Sequence, residues 1–155
     1  MTQTFTRFVV GTPAPQGSVK AFANPRTGRP IIVKDNKVRQ KSWRADVRDA
    51  LIDNGMAAAH FAGPVDIRLD FVMPRPKSTP KSRPTPAATK KPDLDKLIRA
   101  VFDAITESGM WTDDSAVVVV TATKRLAEVG EPTGCLLELC EALAVSPSGE
   151  RLVIL

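Results

Sequence analysis

The sequence predicts an α+β fold in which two main helices pack on a mixed, mainly antiparallel sheet. Strand-like segments precede the first helical pattern, one strand separates it from a second helix, and further strands follow. The chain has 155 residues, of which 43% are hydrophobic, and this suits one domain with its own core. We therefore expect a single domain over residues 1–155.

The amino-terminal part is predicted to form a strand and then a hairpin. Residues 5–10 are rich in β-branched and aromatic side chains, as strands are. Two more strands are expected at 19–22 and 31–34, because turn-forming residues fill the segment between them.

The first helix is predicted over residues 37–56. Its apolar side chains recur at helical spacing and are Val38, Trp43, Val47, Leu51 and Ile52. Asn54 and Gly55 are typical of a helix end. We expect Trp43 to anchor the core rather than to stack on a base.

A half-buried strand and a long loop are predicted next. Residues 65–73 begin with strict alternation of apolar and polar side chains. Residues 75–91 contain four prolines and six basic residues but no acidic residue, which predicts a flexible, exposed basic loop. Structureless loops of this length are uncommon and are often functional.

The second helix, residues 93–108, has the clearest pattern in the chain. Its apolar stripe consists of Leu94, Leu97, Ile98, Val101, Phe102 and Ile105. Asp93 fits the N-cap position, and Gly109 fits the position that ends a helix. Strands are expected at 116–126 and 134–142, and residues 151–155 are expected to form a short strand or an interface segment.

The charge distribution favours a polyanionic partner. The formal net charge is +5, and nine of the Lys and Arg residues lie between Met1 and Arg44, where Asp35 is the one acid. Five glutamates reverse the sign after residue 127. Such segregation is typical of nucleic-acid-binding proteins, although charge that only maintains solubility is the simpler alternative.

Several kinds of site and location are not favoured. Cys135 and Cys140 are too few for a four-ligand zinc site, and their odd spacing in a strand places them on opposite faces, so we expect small buried hydrophobic residues. His60 is the one histidine and is expected at a helix end or in a loop, which argues against Ser–His–Asp hydrolysis. With no membrane-spanning run or signal-peptide pattern, we expect a cytoplasmic protein.

Two pairs of aspartates flank the second helix and suggest a metal site. Asp93 and Asp95 stand at its entrance, where a partly extended chain lets carboxylates at i and i+2 converge on one cation. Asp113 and Asp114 lie in the link to the next strand and approach the first pair if that strand pairs beside the helix entrance. The alternatives are a helix cap, an exposed Asp95–Arg99 pair and ordinary turn residues.

Residues 93–117 resemble the central signature of the RusA-type Holliday junction resolvases. They read DLDKLIRAVFDAITESGMWTDDSAV, which is similar to the family pattern of D-L-D-N, a helix containing F-D-A-L, then glycine, a hydrophobic and an aromatic residue, x-D-D and a strand. Residues 13–18 and the basic first helix agree more loosely.

The resemblance implies a homodimeric endodeoxyribonuclease that makes paired nicks in four-way DNA junctions. It also implies catalytic, metal-binding carboxylates at Asp93, Asp95 and Asp114, with Mg²⁺ as the cofactor and Mn²⁺ as a substitute. A bacterial host cytoplasm, a phage-encoded gene and roles in DNA recombination and repair are the corresponding expectations.

One departure from the family pattern concerns a catalytic lysine, whose position is occupied by Arg99. Arginine keeps the positive charge but cannot transfer a proton. Lys96, Asp103 and Asp113 are expected to support the site. The residues expected to bind DNA are Lys77, Lys81, Arg83, Lys90, Lys91, Arg26, Arg29, Lys37, Arg39 and Lys41.

Three other functions remain open at this point. A non-catalytic DNA-binding module would keep the charge pattern and reduce the aspartates to caps and turns. A different structure-selective DNA nuclease, such as a flap or single-strand endonuclease, would keep the site and change the substrate. A toxin-like or structural interaction protein is the third.

Overall fold

The computed structural model describes residues 3–17, 19–34, 37–53 and 60–143, and the side chains at 19–22, 31–34 and 37 are not described. The predicted order of elements is confirmed. The elements are β1 (Thr4–Val10), β2 (Val19–Ala23), β3 (Pro30–Lys34), α1 (Lys37–Ile52), β4 (Val65–Met73), α2 (Leu94–Ser108), a 3₁₀ turn (Asp114–Ala116), β5 (Val117–Leu126) and β6 (Gly134–Glu141).

The main sheet has four strands in the order β1-β6-β4-β5. β6 pairs antiparallel with both β1 and β4, whereas β4 and β5 are parallel. This confirms the predicted α+β class and the mixed, mainly antiparallel sheet. The predicted hairpin is also present, with β2 and β3 forming a separate antiparallel pair.

The connection between β4 and β5 fixes the direction of α2. Parallel neighbours need a crossover connection, so the helix within it runs back against both strands. At its first end, the Lys124 Nζ on β5 donates hydrogen bonds to the carbonyl oxygens of Lys90 (3.0 Å) and Pro92 (2.8 Å). At its other end, the Phe61 N–H donates to the Met110 carbonyl ahead of β4 (2.8 Å). The entrance of α2 therefore lies at the carboxyl ends of β4 and β5.

The core combines side chains from the helices and the sheet. The buried residues include Trp43, Val47 and Leu51 of α1, Leu97, Val101 and Ile105 of α2, Ile67, Leu69 and Phe71 of β4, and Leu137 and Leu139 of β6. Burying a side chain of this size contributes about 1.5–3 kcal/mol. The role predicted for Trp43 is confirmed, since its exposed fraction is 1%.

The apolar stripe predicted on α1 is only partly correct. Val38 is 83% exposed and Ile52 is 42% exposed. The buried side chains Trp43, Val47 and Leu51 are spaced by four residues and form one line, and at about 100° per residue the other two point away from it. The helix ends at Ile52 and Asp53 is in a turn, whereas residues 54–59, with the predicted end at Asn54 and Gly55, lie outside the described residues.

The second helix has the predicted ends. Asp93 is the N-cap residue, although its side chain makes no capping hydrogen bond. Gly109 adopts the left-handed conformation (φ 81°), and its N–H donates to the Thr106 carbonyl. The predicted stripe is confirmed, with Leu97, Val101 and Ile105 buried and the other three members partly buried against the core.

The remaining predictions have mixed outcomes. Cys135 is buried, which raises the pKa of its thiol, but Cys140 is only half-buried, and both are free thiols. His60 lies in a loop as predicted, with its Nδ1 2.9 Å from the Gly109 carbonyl oxygen. The segment 151–155 lies outside the described residues. No helix in the described ranges is long and apolar enough to cross a membrane.

The ion pair between Arg125 and Glu131 predicts a pH-dependent stability. The guanidinium donates two hydrogen bonds to the carboxylate (2.7 and 2.5 Å), and with the Glu128 N–H it lowers the pKa of Glu131 from 4.5 to about 2. A depressed pKa stabilises the fold above the unfolded value of 4.5, and this stabilisation is lost as the pH falls through about 2. Thermal unfolding of Glu131→Gln should therefore occur at a lower Tm than that of the unaltered chain at pH 6. The Tm difference should disappear near pH 2, and a pH-independent difference would contradict this assignment.

Candidate active site

The entrance of α2 presents two carboxylates to solvent. Asp93 has an extended backbone (φ −71°, ψ 143°), as predicted for a chain that is not yet helical, and its side chain is 51% exposed. Its Oδ2 lies 3.5 Å from the Lys96 Nζ. Asp95 is exposed in the first turn, and it makes no ion pair with Arg99 within the described contacts. The capping and Asp95–Arg99 alternatives therefore do not account for these carboxylates.

Contacts from two distant segments hold this entrance in place. The Gln16 N–H donates to the Lys96 carbonyl oxygen at 3.0 Å, which ties the proline-rich segment after β1 to the first turn of α2. Lys124 holds the chain just before Asp93 through the two carbonyl oxygens described above. Sequence reasoning did not identify Lys124, because its partners are main-chain groups more than thirty residues away.

Asp113 and Asp114 have different surroundings. Asp113 caps the 3₁₀ turn and accepts a hydrogen bond from the Ser115 N–H at 2.9 Å. The Ser115 hydrogen bonds lower the pKa of the Asp113 carboxyl. Asp114 begins the 3₁₀ turn and is exposed. Asp113 thus acts as an ordinary turn residue, which was one of the alternatives. Asp114 is the candidate metal-binding carboxylate of this pair.

Within one chain, Asp114 does not approach Asp93 and Asp95. Val117 pairs with Val65 at the start of β4, whereas Lys124, which binds the entrance of α2, pairs with Phe71 near its end. Seven strand steps at about 3.3 Å each separate the two places by roughly 23 Å. In the described part of the chain, no three His, Cys, Asp or Glu side chains are grouped to hold a metal ion. The sequence predicted that the two aspartate pairs meet if the strand after Asp114 begins beside the entrance of α2. In a single protomer it begins at the other end of β4, so the pairs do not meet.

The supporting residues are also separated. Arg99 is exposed on α2, one turn beyond Asp95. Asp103 instead faces α1, where its Oδ2 lies 3.6 Å from the Arg44 guanidinium. The same guanidinium contacts Glu107. Asp103 thus joins the two helices.

The basic loop at 75–91 has internal hydrogen bonds. The Arg75 guanidinium donates to the carbonyl oxygens of Pro80 (3.1 Å) and Arg83 (2.8 Å) and to the Thr85 hydroxyl. Thr85 in turn donates to Glu128 in the turn after β5 (2.6 Å). Arg75 therefore organises the loop. The flexibility predicted for the loop stays a prediction.

The predicted DNA-binding side chains are exposed wherever the structure describes them. They are Lys77, Lys81, Arg83, Lys90 and Lys91 in the basic loop, Arg26 and Arg29 in the β2–β3 turn, and Arg39 and Lys41 on α1. The side chain of Lys37 is not described. Their exposure leaves them available to a phosphate backbone.

A cavity of about 1010 Å³ lies beside the entrance of α2. Its walls come from residues 12–15, from α1, from the ends of β4 and β5, and from the basic loop. Sequence reasoning missed this cavity because its walls come from segments far apart in the chain. The one local signal was the proline content of two of those segments.

Comparison with known proteins places these features in context. Residues 12–132, which contain both aspartate pairs and the basic loop, match the family model described as endodeoxyribonuclease RusA. The chain is 28% identical over 111 residues to the crossover junction endodeoxyribonuclease RusA of Shigella sonnei (strain Ss046), covering 72% of this chain and 77% of that protein. The protein of the same name from Escherichia coli (strain K12) is 27% identical with the same coverage. That from Enterobacteria phage 82 is 28% identical over 106 residues, or 68% of this chain and 72% of that protein.

Replacing Arg75 with methionine should loosen the basic loop. The change removes three hydrogen bonds from a charged donor, each worth about 1.5–3 kcal/mol, so the loop should open more often. Limited digestion with trypsin under native conditions should cut after Lys77 and Lys81, each of which is followed by serine, at least about tenfold faster. Lys77→Met is the matched control, since it also removes one basic residue of the loop but none of these bonds, and the two variants are compared by the rate of cutting after Lys81. Equal rates at Lys81 for the two variants would exclude the organising role of Arg75.

Proposed function

Because this chain belongs to the RusA family of endodeoxyribonucleases, we propose that it is a Mg²⁺-dependent nuclease that resolves four-way DNA junctions by paired hydrolysis of phosphodiester bonds. The observation that supports the proposal most directly is the exposed Asp93–Asp95 pair beside the basic loop. The relatives are named as crossover junction enzymes, which supports branched DNA as the substrate.

The charges around α2 suit a phosphate backbone. Lys90 and Lys91 are separated from Asp93 by Pro92 alone, and Lys77, Lys81 and Arg83 extend the positive surface along the loop. Contacts of this kind neutralise phosphates and release counterions, so they supply affinity that falls with salt. They carry no base-sequence information, which agrees with a substrate recognised by its branched shape.

The carboxylates fit Mg²⁺ by their chemistry. Mg²⁺ prefers hard oxygen ligands and keeps several water molecules, so exposed carboxylates that make no capping bond are suitable donors. The distance from Asp95 to Asp114 in one chain argues for a site completed by a second copy. We infer that Asp93 and Asp95 of one protomer act with Asp114 of its partner, and Mn²⁺ is expected to substitute for Mg²⁺ there.

The edge strand β5 supports this arrangement. β5 is ten residues long, pairs with β4 on one side, and has no other neighbour among the described strands. Val118 and Val120 are 55% and 44% exposed on it. Antiparallel pairing of two β5 strands about a two-fold axis would bring the start of one beside the end of the other. Asp114 would then lie near the entrance of α2 in the partner.

The cationic side chains have separate tasks in the proposed reaction. Asp93 and Asp95 of one protomer and Asp114 of its partner would hold the metal, which would supply Lewis acidity toward the phosphate and the attacking water. Arg99, one turn beyond Asp95, stabilises negative charge on the reacting phosphate without exchanging a proton. Lys96 neutralises part of the charge of Asp93. Lys124 maintains the main chain ahead of the carboxylates.

The first test is cleavage of a labelled synthetic four-way junction in Mg²⁺ and in EDTA. Asp95→Asn should bind the junction and cut it at least about a thousandfold more slowly, because a transition-state contact worth about 4 kcal/mol is lost. Asp49→Asn on α1 makes the same change of charge away from the site and should cut normally.

The same experiment separates the alternatives. Metal-dependent cleavage of a matched linear duplex or a flap at the rate of the junction would indicate a different nuclease. Tight binding without cleavage in Mg²⁺, or in Mn²⁺ as its substitute, would leave a DNA-binding module.

Mixing two inactive variants tests whether the site is shared. Asp95→Asn and Asp114→Asn should each be inactive alone. If each site takes Asp95 from one protomer and Asp114 from the other, a mixed dimer contains one intact site. Random exchange would then restore about a quarter of the intact sites, seen as single nicks rather than paired cuts. No recovery, in a mixture shown to exchange subunits, would place each site within one chain.

A further inference from the structure

The cavity beside the entrance of α2 has no task in the cleavage chemistry proposed above. We propose that it receives one nucleotide of the DNA substrate that leaves its base pair at the branch point, next to the bond that is cut. The identification of the polymer as DNA rests on the proposed function.

The cavity and the candidate carboxylates share a wall. Pro92 lines the cavity and is the residue before Asp93. Lys124 also lines it and holds the Pro92 carbonyl oxygen at 2.8 Å. A strand whose phosphate lies at Asp93 therefore has its neighbouring nucleotide at the mouth of the cavity.

The lining suits a base and its phosphate. Leu126 and prolines of the two flanking loops contribute apolar surface, whereas Trp43 and Met73, at 1% and 7% exposed, add little. Apolar surface holds an unstacked base without reading its identity. The charged residues of the lining are four cations and one acid, namely Arg39, Lys90, Lys91, Lys124 and Asp46. This excess of positive charge favours a phosphorylated occupant over a basic or neutral one.

The size of the cavity also suits a nucleotide. The volume of about 1010 Å³ corresponds to the upper range of small-molecule sites, about 300–1,000 Å³, and leaves room for a nucleotide.

A nucleotide cavity would contribute to junction selectivity. In a linear duplex every base is stacked and paired, so removing one costs free energy, and the cost is least for a base that is already unpaired. The bases at a branch point are still paired, but the duplex does not continue past them on both strands, so opening such a pair should cost less than opening one within an arm. The cavity would thus favour branched over linear DNA independently of the dimer geometry.

The test uses a four-way junction with 2-aminopurine at the branch point, a base that fluoresces more strongly when unstacked. Binding is measured in EDTA, so that no cutting is needed. The unaltered protein should raise the fluorescence severalfold, but not that of the same base placed in the middle of an arm. Ser42→Phe on α1 and Ala88→Phe in the basic loop fill the cavity from two different segments of its lining. Both should abolish the rise and weaken junction binding about tenfold.

Val38→Phe is the matched control, since Val38 lies one turn before Ser42 on α1 and is 83% exposed outside the cavity. Circular dichroism and thermal unfolding establish that the filled variants are folded. The proposal is overturned if both folded variants bind and raise the fluorescence as the unaltered protein does, or if the unaltered protein binds without a rise. Cleavage in Mg²⁺ is scored separately. A fluorescence rise without cleavage supports the nucleotide cavity and contradicts the proposed nuclease activity. Cleavage without a fluorescence rise supports the nuclease activity and contradicts the nucleotide cavity.

Discussion

The parallel pairing of β4 with β5 determines where the candidate carboxylates lie. Because the two strands run in the same direction, the chain must return along α2 before it can enter β5. The entrance of α2 therefore lies at the carboxyl ends of the two strands, and its exit lies at their amino ends. Asp93 and Asp95 are at the carboxyl ends and Asp114 is at the amino ends, and the buried stripe of α2 holds them there. A short hairpin between the same strands would have placed the two aspartate pairs together.

Basic side chains and main-chain hydrogen bonds are concentrated at the entrance of α2. The basic loop ends at Lys91, the segment after β1 contacts Lys96, and Lys124 reaches across from β5. None of these contacts depends on a side chain of the aspartate pair. The entrance of α2 is consequently held by its surroundings, and the carboxylates are left exposed. In a pre-organised binding site, other groups hold the backbone so that the binding side chains stay exposed, as they do here.

Much of the fold could be predicted from the sequence because its patterns are local. The stripe of α2 and its ends at Asp93 and Gly109 depend on residues within a few turns, as does the strand character of β4, β5 and β6. The exposure of Val38 and Ile52 was not predicted. The helix α1 buries a single line of side chains, and its sequence contains more apolar residues than that line can bury. The inward role of Arg75 was missed for a related reason. A loop arginine is indistinguishable in sequence from its solvated neighbours, and only the folded loop reveals the carbonyl oxygens that it binds.

The candidate site was predictable in its residue types but not in its assembly. The aspartate pairs and the 93–117 signature could be recognised directly, whereas their separation follows from strand direction, which is a long-range property. The connection from β4 to β5 did contain a signal, because long helical connections almost always join parallel strands. The cavity had no comparable signal, as its walls come from five parts of the chain.

The distance between Asp95 and Asp114 has a consequence for gene dosage. If catalysis requires carboxylates from two chains, the activity at low expression rises with the square of the protein concentration, because it follows the dimer rather than the monomer. A few isolated copies in a cell would then leave the chromosome uncut. Activity would become proportional to the protein concentration only above the dimer dissociation constant. The separation of Asp95 and Asp114 within one chain would thereby limit cleavage by isolated protomers.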